Sequence, residues 1–527
     1  MKDTLHFSAQ DKLKAGIDKV ARAVGQTMGT GGSNVIIEAL ELPGYLATND
    51  GYSVANAVHL ADPIENLGKQ MLLESINRAN KSSGDGSSTT CVLTAAIIEE
   101  GMKHTAEAHP MDIKRSLEAC LPLIEESLNT QTQHLVAEDG TFDIERLKQV
   151  ATISAEDETI GNTIADIYGQ IGQKGIIYWD VSKTTEDSYT IGSGITVEGA
   201  TYASPYMCDA TEAGQNTNAI RIKNPHILLT KQKIASSSDF NAVAQKLFEK
   251  DVKDIVVFAD DFEPLIINDL ILTRAKKGFR IVLVKMPVLW KDVWFEDLAK
   301  ATGAKIVDAT AGFPLKDLTL EDLGTVKNII IDKQDTFLDG IQDVTEHVKV
   351  LEEEDTDESN LRAARLNTKT ARYFVGAQSE SALSYRRLKV EDAISAAFQA
   401  LNGGIVAGGG IALLNASVDV SSGEIGNQIL IKALRAPLTQ IVHNSGKELP
   451  SNFHVDGVLI GGEMGFNSKT GKAINMFEAG IVDPKNVVLN AVKNAISVAA
   501  TVLTAPTIVL LPRMEQPQPE HPSLIQN

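Results

Sequence analysis

Gly84-Asp85-Gly86-Ser87-Ser88-Thr89, residues 84–89, runs directly into the apolar-periodic positions Val92, Leu93, Ala96 and Ile97, so a loop of small residues feeds the start of a helix. Glycine lets a backbone approach a ligand closely. The unpaired N–H groups and the dipole at a helix start favour phosphate. Two more glycine turns adjoin helical patterns. Met28-Gly29-Thr30-Gly31-Gly32 follows a helix predicted over residues 8–27 with Ser8 as its N-cap, and Ala407-Gly408-Gly409-Gly410 opens another. Singly, each loop reads as a structural turn before it reads as a phosphate cradle. Neither G-x-x-x-x-G-K-S/T nor a G-x-G-x-x-G after a strand occurs, so the standard phosphate loops are absent.

Carboxylates stand beside these turns: Asp50, Asp85 and, on the helix before the third turn, Asp392. ATP arrives with Mg2+, a hard cation that takes carboxylate oxygens alongside phosphate. An aspartate next to glycine is also a common turn former or cap. Spacing alone therefore leaves an ATP site as the minority reading, behind turns and caps.

The surrounding chain bounds the answer. Its 527 residues exceed what one hydrophobic core organises, which predicts roughly two to four domains. A formal charge of -20 argues against nucleic acid or anionic membrane as a general partner. Cys91, Cys120 and Cys208 lack metal-ligand spacing and suit a reducing compartment. Residues 1–10 carry no apolar core of a secretory signal, so a cytoplasmic location is expected. The most apolar stretch, 496–511, is interrupted by Thr501, Thr504 and Pro506, and reads as a buried helix followed by a buried strand. Strand patterns at 219–229, 255–259 and 280–285 alternate with helical patterns at 239–248, 265–275 and 294–302. That alternation predicts an α/β domain inserted between two mainly helical stretches. The acidic run 352–357 reads as a solvated helix face, and the proline-containing tail from Pro512 as disordered.

The runs Asp50-Gly51-Tyr52-Ser53-Val54-Ala55, Glu65-Asn66-Leu67-Gly68, Ala79-Asn80 and the loop at 84–89 resemble, in order and spacing, the group I chaperonins of the GroEL type. So do Val390-Glu391-Asp392-Ala393, Val406-Ala407-Gly408-Gly409-Gly410, Ala436-Pro437-Leu438 and Gly480-Ile481-Val482-Asp483-Pro484. The resemblance is collinear over roughly 12–512. It implies a multidomain α + α/β chaperonin fold: a mainly helical equatorial domain from 1–130 and 403–515, a small intermediate domain from 131–192 and 371–402, an inserted α/β apical domain at 193–370, and a tail at 516–527.

Carried over residue by residue, the resemblance places nucleotide on Thr27, Met28, Gly29, Thr30, Asn49, Asp85, Gly86, Ser87, Ser88 and Thr89, with Gly409, Asn467, Ser468, Lys469 and Asp483 completing the site. Asp85 would hold the metal. Asp392 would orient or deprotonate the attacking water, assisted by Asp50. Tyr202, Tyr206 and Met207, the stripe Phe240, Val243 and Leu247, and the stripe Ile267, Ile271 and Leu272 match the polypeptide-binding surface. As helical stripes alone they read as core faces. The implied cofactors are ATP and Mg2+, with K+ as a further cation. The implied partners are unfolded polypeptides, identical subunits in a seven-membered ring, single or double, and a co-chaperonin lid.

Departures mark a divergent member, a second copy or a viral one. Asn49 stands where the family has lysine, Thr368-Lys369 where it has paired hinge glycines, Pro287-Val288-Leu289-Trp290 where it has a glycine-rich turn, and the tail lacks Gly-Gly-Met repeats. Thr439 replaces the arginine that pairs rings, although Glu448 is retained and Ala106 remains small and apolar. Three function classes follow: an ATP-cycling foldase, a holdase or scaffold ring with a slowed cycle, and, more remotely, a small-molecule ATP-dependent enzyme.

Overall fold

The computed structural model describes residues 5–7, 10–39, 44–137, 140–182, 184–204, 207, 219–234, 254–277, 280–287, 291–333, 335–354, 356–366, 369–420, 424–448 and 462–510. Contacts divide the chain into two units, one of residues 1–169, 181–186 and 375–527, the other of 170–180 and 187–374.

The first unit is mainly helical. Its helices Gln10–Gly25 and Pro63–Ser83 cross in backbone contact. A Cβ on Gly16 would lie 2.0 Å from the Glu65 carbonyl oxygen, and one on Gly68 2.3 Å from that of Leu13. Asp62 caps the second of these helices, accepting from the N–H groups of Ile64 (2.8 Å) and Glu65 (3.3 Å), and Pro63 occupies its first position. Gly84 ends it in the left-handed region (φ 68°), and Gly86 (φ 88°) begins the helix Ser87–His104. Asp85 is thereby fixed at the corner between two helices. The helix Lys485–Leu503 is long and apolar enough to cross a membrane by length and composition. It packs against Ser87–His104 and Pro63–Ser83, with Val492, Ala495, Ala499 and Leu503 buried. After it, the strand Thr507–Val509 pairs antiparallel with Leu5–Phe7. Only Ile508 of that strand is buried, so the buried strand expected there is a two-stranded edge instead.

The second unit holds two six-stranded sheets. One has His226–Thr230, Asp254–Ala259 and Arg280–Lys285 as parallel neighbours. Their apolar runs Ile227-Leu228-Leu229, Val256-Val257-Phe258 and Val282-Leu283-Val284 are buried, as a sheet covered on both faces requires. The other is antiparallel through Lys369–Val375, Ser188–Glu198, Asp335–Asp339, Asn328–Ile331 and Ile220–Lys223. The single strand predicted at 219–229 is two strands in different sheets. Asn224 adopts φ 50°, and Pro225 has no N–H to give to a ladder.

Several expected polypeptide-binding residues need correction. Tyr202 pairs with Val284 at a sheet edge and is buried, and Met207 belongs to the same apolar core. Neither offers surface to a client in this structure. Ile267 is half-buried against that core, whereas its neighbour Leu265, which the sequence did not single out, is 76% exposed. Tyr206, Phe240, Val243, Leu247 and the side chains of Ile271 and Leu272 lie outside the described residues, as do Ser8, Cys208, Val288, Leu289, Trp290, Thr368 and the tail.

One buried charge cluster ties helices of the second unit together. Asp297 is 1% exposed on the helix Lys291–Thr302. The Arg362 guanidinium donates to it through Nε (3.2 Å to each oxygen) and Nη2 (2.7 Å), and His347 Nε2 stands 3.3 Å away. Removing the carboxylate strands a half-buried arginine. Asp297→Ala is therefore expected to destabilise this unit by roughly 3–5 kcal/mol. In urea unfolding of the full chain the transition should move to lower denaturant, and an unmoved transition contradicts the assignment.

Candidate functional site

All three glycine turns of the sequence meet in the first unit, around one cleft of about 680 Å³. The helix Ser87–His104 starts at Gly86 with no side-chain cap, and the helix Ile411–Asp419 starts the same way at Gly410 (φ 83°). Each leaves its first N–H groups for whatever enters the cleft. Gly51 is packed so closely that an added Cβ would lie 2.3 Å from Ser88 Oγ. That approach sets Asp50, the N-cap of Gly51–Ala57 accepting from Ser53 N at 2.7 Å, against the Ser87 helix start. The Gly29 loop (φ 72°) is held from below, because Asn444 Nδ2 donates to the carbonyls of Gly25 (2.7 Å) and Met28 (2.9 Å).

At the other side, Ile405–Ala407 and Val482–Pro484 pair antiparallel with Val406 opposite Asp483. This ladder brings the third glycine turn beside the Asp483 carboxyl, 3.1 Å from where a Gly408 Cβ would lie. Thr30 and Ser468 share a hydroxyl–hydroxyl bond of 2.6 Å. Asn467 Oδ1 accepts from the N–H groups of Lys469 (2.9 Å) and Thr470 (3.1 Å), forming the turn that places Ser468 and Lys469.

The electrostatics are those of a site short of positive charge. Asp85 accepts from Gly86 N (2.5 Å) and Ser154 Oγ (3.0 Å). Burial nevertheless raises its pKa, with Asp50 adding repulsion against the pull of those bonds and of Lys389. Asp392 is raised well above the ordinary range, first by burial, then by Asp85 and Asp50. Asp483 is pushed up to about 6 by burial, with Asp85 contributing, while the Gly409 N–H pulls it down. Each of these residues keeps some surface open to the cleft.

Every residue predicted for the nucleotide, the metal and the chemistry lines this cleft, from Thr27 to Thr30, Asn49 and Asp50, Asp85 to Thr89, Asp392, Gly409, Asn467 to Lys469 and Asp483. Sequence reasoning missed Ser154, Glu156 and Lys389, which line it too. Lys389 was within reach, because it precedes Asp392 by three residues on the helix Glu380–Gly403 and so shares its face. Glu156 carries no such signal. It is a non-glycine residue at φ 56°, ending the helix Ile144–Ala155.

The sequence profile of the TCP-1/cpn60 chaperonin family matches residues 20–512. Two crystal structures of the chaperonin gp146 from the bacteriophage EL 2 (Pseudomonas aeruginosa), both in the presence of ATP-BeFx, resemble this chain at 19% identity. The TM-scores are 0.71 for crystal form II and 0.65 for crystal form I, and each match covers 97% of this chain and 100% of that one. At that identity the likeness is one of fold.

Asp483 gives the stability of the nucleotide-free protein a pH dependence of definite sign. Its carboxyl ordinarily titrates near 3.8 and does so here at about 6, so the fold holds the proton more tightly than the unfolded chain. The stability tied to that proton is complete below about 3.8 and is lost as pH rises through about 6. The loss is on the order of 1–2 kcal/mol, discounted because the cleft is open to solvent. Asp483→Asn cannot ionise. Nucleotide-free thermal scans should show it unfolding above the wild-type temperature at pH 7 and close to it at pH 4. Parallel profiles for the two proteins would refute the assignment.

Proposed function

Because this chain belongs to the TCP-1/cpn60 chaperonin family and is therefore a folding chaperone, we propose that it works by an ATP-hydrolysing cycle run from this cleft. The observation that carries the proposal is the convergence of two uncapped helix starts with three carboxylates starved of positive charge. A magnesium nucleotide supplies what both lack: phosphate for the N–H groups, and a cation for the carboxylates. That the phage chaperonin was crystallised with ATP-BeFx supports the reading.

Asp85 is the proposed Mg2+ ligand, with phosphate oxygens completing the shell. Among the described residues no three carboxylate, histidine or cysteine groups form a metal cage by themselves. Bound Mg2+ would neutralise charge on the transferred phosphoryl group. Ser87, Ser88 and Thr89 would donate backbone N–H groups to phosphate, and Gly409 and Asp483 would meet the base and ribose. Asp392 would position and deprotonate water, with Asp50 assisting. K+ is proposed as a second cation. The wider proposal follows the family resemblance: a three-domain subunit in a seven-membered cytoplasmic ring, unfolded polypeptides captured on the inserted α/β part, and a co-chaperonin lid. The buried free thiols of Cys91 and Cys120 suit that reducing compartment. A holdase with a slowed cycle is the second reading, favoured by the neutral Asn49 amide where the family has a lysine.

Asp392→Ala tests the chemistry. Hydrolysis should fall at least ~100-fold, while Mg-ADP affinity stays level or tightens, because a water-positioning carboxylate acts in the transition state. Wild-type turnover in this variant would remove Asp392 from the mechanism.

Ring pairing is expected to be weak. The Thr439 hydroxyl bonds the Arg435 carbonyl of its own helix (3.0 Å), and Glu448 is exposed. A single exposed pair is worth only about 0–1 kcal/mol, but a closed ring repeats the loss in every subunit. Native mass measurement at low and high salt, with and without ATP, should show a substantial single-ring population. Double rings alone under all four conditions would sink the idea.

A further inference from the structure

Asn49 does not leave its place in the cleft idle. Its Nδ2 donates to both oxygens of Glu156, at 3.1 Å and 2.9 Å. Glu156 Oε1 also accepts from Lys389 Nζ at 2.8 Å. The three side chains come from segments 107 and 233 residues apart, yet all line the nucleotide cleft. Lys389 is the shielded member: its side chain is 9% exposed, whereas that of Glu156 is 47% exposed. The Tyr385 ring centroid, one turn earlier on the same helix, lies 5.6 Å from its ammonium. Burial pulls the pKa of this lysine down, but attraction and hydrogen bonding to Glu156, with Tyr385 and Asp392 adding to them, leave it raised, so it stays charged. Its charge is felt at the acidic end of the cleft, since both Asp85 and Asp392 are pulled down by it.

We infer that Lys389 is the cation that takes the terminal phosphate of a nucleoside triphosphate in this chain, and that Glu156 holds it charged and in place while the cleft is empty. The missing lysine at position 49 has not removed the positive charge but moved its source. A half-exposed carboxylate is a partner that yields at small cost, because it can turn to water. A phosphate carrying more charge then replaces it on an ammonium that never needs re-solvation. Asn49 fits this exchange, because a neutral amide retains the released Glu156 without competing for phosphate. Lys389 shares a helix face with Asp392, so the same movement that seats one seats the other.

The inference rests on the ATP reading above, and the experiment separates the two. Calorimetry measures Mg-AMP-PNP and Mg-ADP binding to the full-length chain, with thermal unfolding of each apo protein alongside. Lys389→Met is expected to weaken AMP-PNP at least tenfold and ADP less than threefold, and Lys389→Arg to stay within threefold of wild type for both. Adding Asn49→Lys to Lys389→Met should recover most of the AMP-PNP affinity, which a merely structural role for Lys389 would not allow. Should Lys389→Met fail to fold, Glu156→Gln carries the test: it removes a competitor and should tighten AMP-PNP at least threefold. AMP-PNP binding within twofold of wild type in Lys389→Met overturns the inference, as does equal loss of both nucleotides with no recovery in the double variant, or unchanged affinity in Glu156→Gln. A wild-type chain that binds neither nucleotide overturns the ATP reading itself, and this inference with it.

Discussion

Burial holds the carboxyls of Asp85, Asp392 and Asp483 above their ordinary pKa, Asp50 adds repulsion at Asp85 and Asp392, and Asp85 adds it at Asp392 and Asp483. Carboxylates partly withdrawn from water lose more hydration than they regain from a few donors. A fold retains such an arrangement only if the rest of the molecule forces it. Here the forcing is geometric. Asp85 is fixed by two left-handed glycines between two long helices, Asp392 by a 24-residue helix, and Asp483 by a three-residue ladder. None of these elements can relax without disturbing the helical core behind it.

The same geometry explains why the cleft is built from helix ends rather than from a dedicated phosphate loop. Helix crossings as close as those at Gly16 and Gly68 fix helix positions to within a side-chain methyl group. Helix starts placed with that tolerance deliver N–H groups to a defined point, and glycine at Gly86 and Gly410 keeps side chains from covering them. Partial positive charge from backbone and negative charge from carboxylates then face each other across the cleft. That polarity matches a metal-bound polyphosphate better than either a bare anion or a bare cation.

What could be read from the sequence was whatever is local or carried by the collinear resemblance. The turns at Gly29, Gly84 to Gly86 and Gly408 to Gly410 announce themselves by composition, and the helices after them by apolar period. Their meeting in one cleft has no local signature and came from the resemblance alone. Glu156 was illegible because its role depends on a left-handed backbone that its residue type does not advertise, and on partners remote in sequence. Tyr202 and Met207 show the limit of the resemblance: it matched them to a binding segment without saying whether core or client covers them. The strand break did carry a signal, because Asn224-Pro225 is a turn-forming pair, but the apolar positions Ile220, Ile222, Ile227, Leu228 and Leu229 on either side read as one strand.

Protonation state connects the cleft to the proposed chemistry. A general base must be ionised to act, and the pKa of Asp392 is raised well above the ordinary carboxylate range. The influences that raise it are burial and its acidic neighbours, and the one cation among its influences is Lys389. Positive charge entering beside Asp85 would therefore lower the pKa of Asp392 through the same repulsion that now raises it, by cancelling the Asp85 charge. On the proposed reading, a bound metal nucleotide favours the ionised form that Asp392 needs to act as a base. Such coupling requires Asp85, Asp392 and Lys389 to share one poorly solvated volume, because water between them would screen each from the others.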